Sequence, residues 1–295
     1  MKRTKTFYSK HYFIPPPSKW PITSTCSLFL MLVGVINIIH NNWYGHYLLA
    51  FGVILFIFML YGWFNTIINE SMQGLYNKQL DQSYRWGMIW FIASEASFFS
   101  IFFGALFYAR LFAVPTLGGL QHGQETHALL WPQFEAIWPL LKNPNPTLFV
   151  GPKGIIGTWG IPAFNTLLLL SSALAVTWAH WGLEKNQRWR VNIGLLITIL
   201  LGATFLSLQA FEYYEAYTHL GLTLKSGIYG TTFFMLTGFH ALHVSVGLLM
   251  LIVIFIRCLN GHFSSKHSFG FKAVAWYWHF VDVIWLFLFV FVYWL

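Results

Sequence analysis

Three stretches of this 295-residue chain set ionisable side chains inside runs that are otherwise apolar. Glu95 lies in Trp-Gly-Met-Ile-Trp-Phe-Ile-Ala-Ser-Glu-Ala. His240 and His243 lie in Thr-Gly-Phe-His-Ala-Leu-His-Val, and His279 and Asp282 in Trp-Tyr-Trp-His-Phe-Val-Asp-Val. The members of the second and third sets are three residues apart, so each set shares one helix face. A carboxyl group in hydrocarbon takes up a proton unless a partner offsets its charge, and an imidazole is such a partner. The chemistry within reach is proton holding and transfer by a Glu95, His240, His243, His279 and Asp282 cluster. The same residues also read as a hydrogen-bonded knot that sets helix register, and both readings stand on the residues alone. Haem or copper ligation by His240 with His279 needs rings at matching depth that face each other. Two histidines three apart on one face suit hydrogen bonding better.

Two groups at span ends form a second set. Glu70 follows the second apolar segment in Ile-Ile-Asn-Glu-Ser, and Arg257 ends the sixth. An arginine there either snorkels to the interface or holds a lipid phosphate with two hydrogen bonds. The chain has no P-loop, nucleophile elbow, zinc-spaced Cys/His set or dinucleotide fingerprint, so no self-contained catalytic site is expected. Cys26 and Cys258 are too far apart for a Cys-x-x-Cys site and are expected as buried small hydrophobes.

The elements that must position these groups are membrane helices. The chain is 57 % hydrophobic and only 9 % charged, against about 25 % charged in a soluble domain. Seven apolar segments are long enough to cross a bilayer, at roughly 22–39, 47–64, 86–109, 160–180, 191–213, 227–257 and 273–295. The fold class is all-α, an integral membrane bundle of seven transmembrane helices. At about 1.5 Å per residue, Glu95, His279 and Asp282 lie about 14 Å from the inner end of their spans. His240 and His243 lie roughly 20–24 Å in, so the five groups could share one polar layer.

The net charge of +8 comes from residues spread over short loops, with no basic stripe for nucleic acid. Of the 17 Lys and Arg, 13 fall on the side of the N-terminal tail (Lys2, Arg3, Lys5, Lys10 and Lys19 among them) and the loops after spans two, four and six. The last of these loops holds Lys266. The other side has four: Arg110, Lys142, Lys153 and Lys225. The positive-inside rule puts the N-terminus inside and, with seven spans, the C-terminus outside. No cleavable signal is expected, because Pro15 to Pro21 interrupts the basic start and the first apolar run. The chain reads as one membrane domain, 1–295. It divides into an inner-side tail (1–21), a two-helix hairpin (22–64), an inner loop (65–85) and a five-helix bundle (86–295). The bundle carries a long outer loop, about 110–159, rich in Pro, Gly and Trp.

These stretches carry a resemblance. Pro-Pro-Ser-Lys-Trp-Pro near the start, Arg-Trp-Gly-Met-Ile-Trp-Phe-Ile-Ala-Ser-Glu from Arg85, Pro-Ala-Phe-Asn-Thr-Leu-Leu-Leu-Leu-Ser-Ser and Val-Thr-Trp-Ala-His up to His180 come first. Gln-Ala-Phe-Glu-Tyr-Tyr-Glu-Ala from Gln209, the histidine stretch from Gly227 and Trp-Tyr-Trp-His-Phe-Val-Asp-Val-Ile-Trp-Leu-Phe from Trp276 follow in order. Together they resemble the cytochrome c oxidase subunit 3 family of the haem-copper oxidase superfamily, and the long outer loop resembles its proteobacterial branch.

The resemblance implies helices one and two set apart from three to seven by a lipid-filled cleft. It implies a subunit without cofactors of its own, haem a and copper being held by partner subunits. The partners implied are subunit 1 as main contact, subunit 2, a small subunit 4 and structural phospholipids, with cytochrome c as substrate of the complex. The implied role is an accessory one in an aa3-type oxidase that reduces oxygen to water and moves protons outward: stabilising the catalytic subunit and supporting proton uptake. The implied location is the bacterial inner membrane, N-terminus cytoplasmic and C-terminus periplasmic. Glu95, His240, His243, His279 and Asp282 match the family's polar positions, and Glu70 and Arg257 its lipid-contacting ones. The chain departs from the pattern at Asn69 (usually Arg), Trp181 (usually His), Ala241 (usually Gly) and Lys272 (usually Glu). Two other readings remain, subunit 3 of a related quinol oxidase and an independent proton transporter.

Overall fold

The computed structural model describes residues 13–265 and 268–295, and no strand forms among them. Lys2, Arg3, Lys5, Lys10 and Lys266, which the charge asymmetry counts, lie outside the described residues. The long helices are α1 (Trp20–Ile39), α2 (Gly45–Met72) and α3 (Lys78–Tyr108). The last runs through a π-helical turn, Ala109–Ala113, into α4 (Val114–Leu117). Pro115 has no N–H to give the Leu111 carbonyl, and the turn before it widens. A short α5 (Gln124–Leu130) follows in the long loop. Then come α6 (Ile161–Glu184), α7 (Arg188–Thr218), α8 (Ile228–Leu259) and α9 (Phe269–Leu288), which ends in a second π-helical stretch, Phe289–Trp294. Among the described residues, seven helices are long and apolar enough to span a membrane, and the chain is a multi-pass membrane protein.

The helices outrun the apolar segments. α2 continues to Met72 and α3 starts at Lys78, so the expected 65–85 connection shrinks to 73–77. Hydropathy marks the hydrocarbon crossing, whereas backbone hydrogen bonding continues into the headgroup layer. Local contacts extend α3: Asn77 Oδ1 accepts from the Leu80 N–H at 2.8 Å, and Arg85 pairs with Asp81 at 2.8 Å.

The chain forms two compact units, 1–86 and 87–295. In the first, α1 and α2 pack against each other. Gly34 faces the Leu49 backbone so closely that a Cβ there would lie 2.5 Å from its nitrogen. Cys26 is exposed, not buried as expected, because the outer face of a membrane helix must itself be apolar.

In the second unit α6 and α7 pack as neighbours, and α9 lies against α6 and α8. Trp278 of α9 is fully buried and joins four helices. Its ring fills the slot left by Gly202 of α7 and Gly247 of α8, and its Nε1–H donates to Ser172 Oγ of α6 at 2.9 Å. Two turns on, Trp285 donates to Thr166 Oγ1 at 2.9 Å. The outer loop is tied to the α7–α8 turn: Asn143 Nδ2 donates to the Phe149 and Ser226 carbonyls, and the Lys153 N–H to the Leu220 carbonyl. The outside of the spans is apolar, with Leu174 and Leu249 more than 60 % exposed, as lipid contact requires.

Candidate functional site

The expected polar cluster resolves into three environments. The first pairs α3 with α8, where His243 Nε2 and Glu95 Oε2 are 2.8 Å apart. The other ring nitrogen, Nδ1, is 2.6 Å from the Phe239 carbonyl. A carbonyl oxygen can only accept, so Nδ1 carries a hydrogen. The Nε2–Oε2 bond then holds one further proton, as imidazolium with carboxylate or as neutral imidazole with carboxylic acid. Helix geometry thus sets the tautomer and leaves one transferable proton. Phe98, Phe99 and Tyr277 surround the imidazole, with ring centroids 5.1–6.5 Å away. The Glu95 and His243 side chains keep 23 % and 14 % exposure, so the pair sits at the edge of its unit.

His240 faces elsewhere. It is buried between Phe205 and Trp285, and its Nε2–H donates to the Val281 carbonyl at 3.2 Å. Its Nδ1 is buried without a partner. This is a helix-to-helix tie between α8 and α9.

The third environment lies between α6 and α9. His279 Nε2 is 3.3 Å from Thr177 Oγ1, and its Nδ1 is 4.0 Å from Asp282 Oδ2. Asp282 is buried, with no hydrogen-bond partner for either oxygen. His240 and His279 therefore serve different contacts and do not form a facing pair. Among the described residues, no three His, Cys, Asp or Glu side chains gather as a metal set.

Several groups were not singled out in the sequence. Glu212 is buried in α7, where Oε1 accepts from Tyr293 Oη at 2.6 Å and from Gln209 Nε2 at 3.0 Å. The row Phe205, Gln209, Glu212 and Ala216 recurs at helical spacing and marks one buried face, which is the signal that was there to read. His180 lies near the inner end of α6. It stacks on Phe271 at 5.9 Å, and its Nε2 lies 3.5 Å from Glu184 Oε1 without hydrogen-bond alignment. Lys272, the reversed charge, meets Glu184 at 3.4 Å.

The two span-end groups differ. Glu70 Oε2 accepts from Tyr76 Oη at 2.9 Å. Burial, then hydrogen bonds to Tyr84 and Glu70, push the Tyr76 phenol up, so Tyr76 stays a donor. Arg257 lies over the Phe263 ring at 4.3 Å, with its Nε buried and unpaired.

The sequence profile of the family described as cytochrome c oxidase subunit III matches residues 10–129 and 127–295, the two matches meeting inside the long loop. Curated relatives described as cytochrome c oxidase subunit 3 include those of Equus caballus, 43 % identical, and of Phoca vitulina and Rattus norvegicus, each 42 % identical. Each of these alignments spans 292 residues and covers 98 % of both chains.

Proposed function

Because this chain belongs to the cytochrome c oxidase subunit III family, we propose that it is the accessory subunit of an aa3-type oxidase, without a redox centre of its own. In this reading the complex oxidises cytochrome c, reduces oxygen to water and translocates protons. Haem a and copper belong to its partners: subunit 1 as main contact, subunit 2 and a small subunit 4. The chain stabilises subunit 1 and supports proton uptake. It sits in a bacterial inner membrane, N-terminus cytoplasmic and C-terminus periplasmic, the orientation that its loop charges favour. Phospholipid headgroups meet Glu70 in the first unit and Arg257 in the second. The unpaired Nε of Arg257 supports the latter.

The observation that carries the proton role is the Glu95–His243 hydrogen bond. Its tautomer is set by the Phe239 carbonyl, and it lies within a bilayer-spanning segment beside aromatic rings. A group that holds one proton between two sites can take it from the interior side and return it. Asp282, His279 and His240 belong to the same polar inventory in separate positions.

Two experiments test the reading. Purification in mild detergent through a tag on this chain is expected to yield haem a and copper that leave with the partners when the chain is stripped from them. A colourless chain that purifies alone and carries protons in liposomes overturns it. Glu95→Gln keeps a hydrogen bond to His243 but removes the ionisable group. The variant complex is expected to assemble, to take up protons more slowly and to lose activity sooner during turnover. Turnover for as long as the parent removes the proton role from Glu95.

A further inference from the structure

Titratable groups recur along the seam where α6 packs on α9. On α6 they are His180 and Glu184, with the hydroxyl of Thr177 one turn before. On α9 they are Lys272, His279 and Asp282. Positions 177, 180 and 184 share one helix face, as do 272, 279 and 282. Contacts link them at both ends: Lys272 to Glu184 at 3.4 Å, His180 to Glu184 at 3.5 Å, His279 to Thr177 at 3.3 Å and Asp282 to His279 at 4.0 Å. Side-chain exposure is 50 % for Glu184, 26 % for His180, 20 % for Lys272 and 41 % for His279, against 6 % for Asp282 at the end of the row. From Lys272 to Asp282 the row climbs about 15 Å, half of a hydrocarbon core.

We propose that this seam is a proton path joining the helix ends at Glu184 and Lys272 to the buried carboxyl of Asp282. The imidazole of His279 is its connecting element, because its two nitrogens face opposite ways along the row. Thr177 gives its own hydrogen to the Ala173 carbonyl at 2.8 Å, so its oxygen accepts from His279 Nε2–H. Nδ1 then presents its lone pair toward Asp282, which is carried as the acid because an unpaired buried charge is far costlier. Exchange moves one proton from Asp282 Oδ2 to Nδ1 while another leaves Nε2 toward His180 and Glu184. Glu184 holds that second proton while Asp282 is a carboxylate, so the net charge of the seam is unchanged; exchange is completed when the imidazole turns, its Nδ1 hydrogen is replaced on the His180 side and the new one returns to Asp282. One water or a small ring rotation closes the 4.0 Å gap.

Among the described residues, His279 is the ionisable group that comes within 4.0 Å of the Asp282 carboxyl. Trp278 and Trp285, four before and three after it, turn the same side of α9 toward Ser172 and Thr166 of α6 and toward Gly202 and Phe205 of α7. On α7 the nearby Thr198 hydroxyl goes to the Gly194 carbonyl. On α8 His240 gives its hydrogen to the Val281 carbonyl. The path is separate from the Glu95–His243 pair and does not depend on that pair's role.

The test is hydrogen–deuterium exchange in the intact oxidase complex, read as the isotope shift of the protonated Asp282 carbonyl band in infrared difference spectra. Asp282→Asn identifies the band. In the parent the band should shift within the mixing time. In His279→Phe exchange should slow about tenfold or more, since it then needs local opening of the bundle. Glu95→Gln should leave it unchanged. Should His279→Phe fail to assemble, His180→Phe and Thr177→Val interrupt the same row. Parent-like exchange in the assembled row variants overturns the proposal, as does the absence of any band lost in Asp282→Asn. A failure of Glu95→Gln to affect turnover, by contrast, bears only on the Glu95 role.

Discussion

Trp278 and Trp285 each send an indole N–H across the α6–α9 contact to a hydroxyl of α6, at 2.9 Å in both cases. Removing the acceptor leaves a buried N–H unsatisfied, which costs about 1–3 kcal/mol even when shape is kept. Thr166→Val keeps the volume of the side chain, so thermal unfolding of the purified complex should report a loss of about that size. An unchanged midpoint would mean that the Trp285 N–H finds another partner. The same residue scale shows what sequence could and could not reveal about the site. That Glu95, His243, His279 and Asp282 are special is visible, because each interrupts an apolar run. Which histidine takes the glutamate is not visible. His240 and His243 share a helix face, yet a small rotation about α8 sends one ring to Glu95 and the other to the Val281 carbonyl. Thr177 stayed hidden because a hydroxyl in a membrane helix usually bonds its own backbone, which it also does here.

At the scale of elements, small residues decide how closely the helices approach. A Cβ at Gly202 would lie 2.8 Å from the Trp278 ring, and one at Gly247 3.0 Å from it. Gly202→Ala is therefore expected to destabilise by about 1–3 kcal/mol, since the wedged indole cannot retreat without disturbing Ser172. Gly104 of α3 has no atom within 4 Å of the added carbon, so Gly104→Ala should be neutral or gain up to about 1 kcal/mol from helix propensity. Denaturation midpoints of the two variants, measured side by side, check the contrast. A loss at Gly104 equal to that at Gly202 would mark its face of α3 as covered in the complex. The sequence carries the number and order of the spans, because twenty apolar residues are a physical requirement of the hydrocarbon. It carries their ends poorly. Nothing in hydropathy separates Asn65 to Met72, which is helical, from a polar loop, and the aspartate–arginine spacing that extends α3 is a weaker signal than the apolar run.

For the whole molecule, the direction of insertion decides what the seam between α6 and α9 can do. Glu184 and Lys272 stand at the same end of the bundle as Lys185, Arg188, Arg190 and Arg257, the end that the charge asymmetry assigns to the inside. If the N-terminus faces the cytoplasm, Asp282 draws protons from the side on which an oxidase must take them up. With the opposite insertion the same row would open to the side of release, and uptake would have to pass elsewhere. Single cysteines in a background without Cys26 and Cys258 separate the two cases. Glu125→Cys lies in α5 of the long outer loop, and Asn186→Cys in the turn between α6 and α7. Both positions are exposed and outside the packed core, so labelling reads sidedness and not stability. In intact cells a membrane-impermeant maleimide should label the cysteine at 125 and spare the one at 186 until the membrane is opened. Labelling in the reverse order would invert the orientation and place the mouth of the Asp282 path on the outer side, where it could only serve proton release.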